Sequence, residues 1–275
     1  MPAQRIQGHT ITAVIAWFLV DAFAERPFTG NPAAVVRLGA AADEGWMRRV
    51  AAELQQPTTV FVWADADRWR IRWFTPTHEL PLCGHATLAA THVLDQDHIV
   101  FHHGGGALSV RRHHGRIWLE FGGVAVTEGP IPQDVLDALG LAEAAGFASN
   151  DAEYVVTLDT AAQVAQIRPD IQRILRLPVG RVIVTAPGGE DADFTSRVFV
   201  PAHGLDEDQV TGSAHAVLGP LWAARLGRTR LEAVQASARR GRLALRIEDG
   251  HVHVGGHAVT VSRGELMDAT VAGPG

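Results

Sequence analysis

Two short segments half a chain apart, Cys83-Gly84-His85-Ala86-Thr87 and Thr211-Gly212-Ser213-Ala214-His215, constrain the fold more than any other part of this chain. Each sets a glycine turn beside a thiol, hydroxyl or imidazole. Each follows an extended stretch and precedes an apolar, alanine-rich run, residues 88–94 and 216–222. That is the pattern of a loop opening a helix, and it occurs twice. The stretch 194–201 matches 69–76 in position and pattern, and both end in proline. The chain therefore reads as two similar halves, each with strands, a strand ending in Pro, a glycine loop, a helix and further strands. The first turn of a helix leaves N–H groups unpaired and carries a positive partial charge. Two such ends facing each other would grip a carboxylate and hold an acid or base beside it. The duplication predicts a two-lobed enzyme with its site in the cleft.

The remaining pattern fits this plan. Helical spacing covers 43–54, with Trp46, Val50 and Leu54 on one face, and also 132–139, 161–167 and 213–226. Strand patterns cover 13–23, 33–36, 59–63, 69–74, 99–101, 107–112, 117–121, 154–158, 181–185, 194–201, 243–247, 251–254 and 258–261. No linker rich in Pro, Ser or charge separates the halves. The expected lobes are 1–125 and 126–275, joined near 122–129, a division that allows the last strands to return to the first lobe.

Several function classes drop out. Net charge is −6 with no basic stripe, so nucleic acid is not an expected partner. The apolar segment 11–20 is too short to span a bilayer and reads as a buried strand, so no membrane partner is expected. The single cysteine, Cys83, excludes an internal disulfide and fits a reducing, cytoplasmic setting. Fourteen histidines occur, mostly at turns and strand ends, with no HExxH or Cys/His ligand set, so no metal is expected.

Four ordered blocks resemble the PhzF family of phenazine-biosynthesis-like proteins, within the diaminopimelate-epimerase-like fold. They are Val20-Asp21-Ala22-Phe23 with Pro27-Phe28-Thr29-Gly30-Asn31-Pro32-Ala33; Arg72-Trp73-Phe74-Thr75-Pro76 with Glu79 through Thr87; Ser196-Arg197-Val198-Phe199-Val200-Pro201; and Glu207 through His215. The resemblance covers most of the chain. It implies an α+β fold of two similar lobes, each a curled, mostly antiparallel sheet around a central helix, with a cofactor-free site between them. It also implies an isomerase or related lyase that moves a proton on a small carboxylic or amino acid in specialised metabolism, and a homodimer. Family members that isomerise carry their proton shuttle, a glutamate, in a Ser-Glu-Thr triplet before a strand. The matching stretch is Pro57-Thr58-Thr59, so Thr58 takes the glutamate's place. A hydroxyl cannot act as general base at neutral pH in its stead.

The replacement is open among several residues. His85 and Asp208 match family site residues, and imidazole both donates and accepts near neutral pH. Cys83, at a helix start, would have a lowered pKa. In the related proline racemases, cysteines in similar turns form the acid–base pair. Thr211 holds the second of those positions, as in relatives that eliminate water with one thiol. Catalytic candidates are thus Asp208, His85 and Cys83. Binding candidates are Asn31, Thr58, Gly84, Thr211, Gly212 and Ser213. Plainer roles compete: Cys83 as a small buried hydrophobe, Asp208 or Ser213 as a helix cap, Asn31 as a turn former, His215 as packing, Glu79 as a turn residue and Glu53 as solvated. Loss of the glutamate also allows a binding protein without turnover, or a Cys83-dependent dehydratase or racemase.

Overall fold

The computed structural model describes residues 14–267. The first half runs β1 (Ile15–Ala22), β2 (Asn31–Arg37), α1 (Glu44–Leu54), β3 (Thr58–Asp65), β4 (Arg68–Phe74), β5 (Glu79–Leu80), α2 (Gly84–Leu94), β6 (His98–His103), β7 (Gly106–His113), β8 (Arg116–Gly122) and β9 (Thr127–Glu128). The second half runs α3 (Gln133–Leu139), β10 (Gly146–Ser149), β11 (Glu153–Thr157), α4 (Ala161–Gln166), α5 (Ile171–Ile174), β12 (Arg181–Pro187), β13 (Phe194–Val200), β14 (Leu205–Asp208), α6 (Gly212–Leu226), β15 (Arg230–Gln235), β16 (Gly241–Glu248), β17 (His251–Gly256) and β18 (Ala258–Leu266).

The strand pairings repeat. In the first half β1/β2 is antiparallel, β2/β3 parallel, β3/β4 and β4/β5 antiparallel, β4/β6 parallel, and β6/β7 and β7/β8 antiparallel. The second half gives the same series from β10/β11 through β16/β17. Side chains repeat as well. Arg72 donates to Glu79 through Nε and Nη2 (2.7 and 2.6 Å) and lies over the Phe74 ring. Arg197 does the same with Glu207 (2.8 and 2.7 Å) and Phe199. Glu79 is thereby an ion-pair partner within its lobe.

The halves are woven together. β9 pairs with β10, β18 pairs with β1, and β8 pairs with β17 across the seam. The result is the expected α+β architecture, a large and mostly antiparallel sheet with few helices. Helices α2 and α6 are apolar on all sides, which suits them to the middle of a curled sheet rather than its surface. α2 touches β1, β2, β3, β8 and β18, and α6 touches β8, β15, β16 and β17. Small residues permit this close wrapping: a Cβ on Gly219 would stand 3.1 Å from Val252 Cγ1. The main core surrounds both helices, with satellite cores beneath α1 and beneath α3–α5.

Local chemistry explains several helix ends and breaks. Asp43 accepts from Trp46 N–H at the start of α1. Thr87 donates to Cys83 O (2.7 Å), a second bond to a carbonyl that its own N–H already reaches (3.0 Å). Pro220 inside α6 cannot donate to Ala216 O; Val124 N–H, from the segment joining the halves, takes that acceptor at 3.1 Å. The sequence pattern missed α5 and the short strands β5, β9, β10 and β14, because elements of two to four residues carry too little periodicity to register, and it also missed the six-residue β15. The first residues of the predicted strands at 11–20 and 13–23 lie outside the described residues. Among the described residues no helix is long and apolar enough to cross a membrane, and no group of three or more His, Cys, Asp or Glu is placed to hold a metal ion.

Candidate active site

The repeated topology brings the first turns of α2 and α6 face to face. A Cβ added to Gly84 would lie 3.9 Å from Gly212 Cα, in ordinary contact, and a tighter 3.3 Å from the Phe121 ring. A cavity of about 390 Å³ opens at the meeting point. The first half contributes Thr58, Cys83, Gly84 and His85 to its wall; the second contributes Arg181, Asp208, Thr211, Gly212 and Ser213. Leu80, Leu82, Val200 and Leu205 make the apolar part. Its size suits a small organic ligand. A larger groove of about 920 Å³, around Trp63, Arg70, Trp73 and His103, contains none of the predicted site residues.

Cys83 and His85 form a pair in the first-half wall. Cys83 Sγ lies 3.4 Å from His85 Nδ1 and 3.5 Å from Thr58 Oγ1. Burial pushes the Cys83 thiol up, but the His85 charge, hydrogen bonds from His85 and Thr58, and the Ala86 N–H together bring it below its ordinary value. Burial pulls His85 down; the Cys83 charge and hydrogen bond, with the Asp208 charge, raise it above its ordinary value. The two groups are thus moved toward a thiolate–imidazolium pair. Thr58, the first residue of β3, places its hydroxyl beside the thiol.

Asn31 lies behind the cavity wall, at the start of β2, and is fully buried. Its amide donates to Asp208 Oδ1 (2.7 Å) and Val210 O (2.9 Å), which uses both hydrogens and leaves the neighbouring His85 Nδ1 (3.2 Å) to Cys83. One side chain therefore packs beside the histidine of the first half while it holds the aspartate of the second. Asp208 also accepts from Thr211 Oγ1 (2.7 Å) and makes no helix cap. Gln235, fully buried, was not singled out by the sequence. It accepts from Thr211 N–H (2.8 Å) and donates to Asp208 O (2.7 Å), so it fixes the second glycine turn. Arg181 was also missed. Its Nη1 donates to Ser213 Oγ at 2.9 Å, and its Nε donates to the buried Glu153 at 2.6 Å. The available signal was positional: Arg181 opens β12 as Thr58 opens β3.

His215 points away from the cavity. It is fully buried, stacks on Phe194, and donates from Nδ1 to Thr211 O at 2.8 Å. Burial lowers its pKa to about 4, the Thr211 carbonyl opposes this, and the Arg181 charge adds to it. A base whose pKa falls on folding is neutral in the native state. As pH drops from about 6.5 toward 4, the unfolded chain gains a proton that the folded chain refuses, and roughly 3 kcal/mol of stability is lost. Urea unfolding at pH 7 and pH 4 should show His215→Gln losing about that much less than the unaltered protein. Equal losses would mean that His215 is not held neutral.

The comparisons with known proteins agree with this architecture. The family model for phenazine biosynthesis-like proteins, PhzC-PhzF, matches residues 20–264. An uncharacterized isomerase of Pseudomonas aeruginosa is 45% identical over 253 residues, which span 90% of this chain and 96% of that protein. A PhzF-family phenazine biosynthesis protein of Enterococcus faecalis superposes with a TM-score of 0.89 at 36% identity, over 92% of this chain and 99% of that one. A hydroxyproline epimerase of Agrobacterium vitis, at 10% identity and a TM-score of 0.59 over 92% of each chain, shares the fold. With a family model over most of its length and relatives named as isomerases, the chain belongs to the PhzC-PhzF family of phenazine biosynthesis-like proteins.

Proposed function

We propose that this chain is a cofactor-independent isomerase that moves a proton between carbons of a small carboxylic or amino acid, with the Cys83–His85 pair in the role of the absent glutamate. The observation that carries this reading is a thiol and an imidazole 3.4 Å apart at a helix start in the inter-lobe cavity, each with its pKa moved toward the charged form. The N–H groups at the starts of α2 and α6 receive the negative charge of the substrate and of the enolate that forms. The Cys83 thiolate takes the proton from carbon. His85 holds the thiolate and shares the proton, and the thiol returns it to a second carbon on the same face. Asp208, held by Asn31 and Thr211, faces a substrate amine. Approach of the two lobes over the substrate excludes water.

Thr211 makes the site one-sided. A two-base racemase needs a second proton carrier on the opposite wall, and the matching position holds a hydroxyl. This favours suprafacial isomerisation, or elimination of water with one thiol, over racemisation. The reaction belongs in this reading to specialised metabolism, and the working form is a homodimer.

Proton NMR in deuterated water with a panel of cyclic amino acids and dihydroaromatic acids tests the proposal. Deuterium should enter carbon, or water should leave, for at least one acid. Saturable binding of the panel with neither event would replace the isomerase by a binding protein that lost turnover with the glutamate.

A further inference from the structure

We propose that Arg181 is the carboxylate anchor of this cavity, so that the substrate lies with its carboxylate on the second lobe and its reacting carbon against Cys83. The inference rests on the reading of the cavity as a carboxylic-acid site. Arg181 lines the cavity with its side chain 18% exposed, and the guanidinium is fixed rather than mobile. Nε and Nη2 both engage Glu153, whose side chain is 3% exposed, and Nη1 donates to Ser213 Oγ. A guanidinium has five N–H groups. Among the described residues, one on each terminal nitrogen has no acceptor, and the fork geometry of those two suits a carboxylate.

Two helix ends oppose the cation where it stands. Ser213 is the second residue of α6, so the cation sits at the positive end of that helix, with the positive end of α2 facing it. Cations belong at helix C-termini; at an N-terminus they are repelled. The effect reaches His215, whose pKa the Arg181 charge helps to lower. Glu153 neutralises the guanidinium from behind but does not enter the cavity wall. An anion between Arg181 and the two helix ends is attracted by all three and offsets their mutual repulsion.

The internal repeat gives the orientation. Residue 58 sits opposite Ala33 in the parallel β2/β3 pair, and residue 181 sits opposite Glu153 in the parallel β11/β12 pair. The same position in the two halves therefore carries a hydroxyl beside the thiol on one wall and a guanidinium on the other. Binding and chemistry are divided between the lobes, and the apolar residues Leu80, Leu82, Val200 and Leu205 take the hydrocarbon body between them.

Benzoate and benzamide, equal in shape and different in charge, are the probes, titrated by NMR against the full chain. Arg181→Gln alone would strand the buried Glu153 carboxylate, so the test variant is the pair Arg181→Gln/Glu153→Gln. Arg181→Lys, which keeps a cation for Glu153, is the second variant. The unaltered protein should prefer benzoate by about tenfold or more, as expected for hydrogen bonds to a charged group. The double variant should lose that preference with benzamide affinity unchanged, and the lysine variant should lose part of it. No measurable benzoate binding, or a preference that survives in the double variant, would overturn the anchor. Binding is read without turnover, so the two proposals separate. An Arg181-dependent preference without any deuterium exchange sinks the isomerase alone. Exchange with a preference indifferent to Arg181 sinks the anchor alone.

Discussion

Cys83→Ala should lower deuterium incorporation into the responsive acid by roughly 10²- to 10⁴-fold, the usual range for removing a positioned acid–base group. The saturation constant for that acid should change little, because the thiol moves a proton rather than holding the carboxylate. His85→Gln should fall in the same range, since without the imidazolium the buried thiolate loses its counter-charge. The pH profile adds a sign. The active form carries thiolate and imidazolium together. Activity rises as pH passes the Cys83 pKa, which lies below the ordinary thiol value, and falls as pH passes the His85 pKa, which lies above the ordinary imidazole value. A bell-shaped profile is expected, with its rising limb below the ordinary thiol value and its falling limb above the ordinary imidazole value. Cys83 is the only cysteine, so iodoacetamide should add one mass increment, stop exchange, and be slowed by the acid. Full activity in Cys83→Ala would remove the thiol from the mechanism and leave His85 and Asp208 as the candidate bases.

The second large effect concerns the latch that sets Asn31. Arg239, in the turn between β15 and β16, donates from Nη2 to Asp21 Oδ1 (2.7 Å) and from Nε to Gly30 O (2.9 Å). Asp21 is 1% exposed and also accepts from Phe28 N–H at 2.6 Å. Gly30 sits at φ +67, and a Cβ there would stand 2.1 Å from Ala22 O, so the turn admits only glycine. Removing one partner of a buried ion pair leaves the other charge uncompensated, which costs about 3–5 kcal/mol. With Arg239 partly exposed, the lower end applies. Arg239→Ala should therefore lower Tm by about 6–12 °C for a chain of this size. It should also slow exchange, because Asn31 holds Asp208 beside the His85 pair. Asp21→Asn/Arg239→Ala should recover part of the stability, since no charge is then buried alone. If the double variant is less stable than Arg239→Ala by the full cost of a second lesion, buried charge is not the cause.

The glycine turns, their helices and the proline-ended strands were legible because each is a local pattern of five to eight residues, stated twice. The resemblance to the PhzF family rested on the same blocks, and the departure at Thr58 was visible as a single letter. Arg181 was not legible as a site residue. In sequence it is one charged residue opening a strand, and its meaning depends on Glu153, twenty-eight positions away, and on Ser213 beyond it. Gln235 lay equally out of reach, since a glutamine at the end of a strand says nothing of the turn it holds. Fourteen histidines carried little: His85 and His203 line the cavity, while His215 is sealed in the core.

By itself the sequence determined the two-fold repeat, the helices that open at Gly84 and Gly212, the family, and the exchange of a carboxylate for a hydroxyl at position 58. Those are properties of spacing and side-chain chemistry, which a linear pattern states directly. The tertiary structure alone decided that Cys83 and His85 approach as a pair, that Asn31, beside His85, holds Asp208 across 177 positions, and that Arg181 faces them from the other lobe. Distances between remote residues follow from strand pairing and from the exchange of β9 and β18 between halves. Burial then sets the charge states: it opposes charge on Cys83 and His85, which sustain each other's, and keeps His215 neutral in the core.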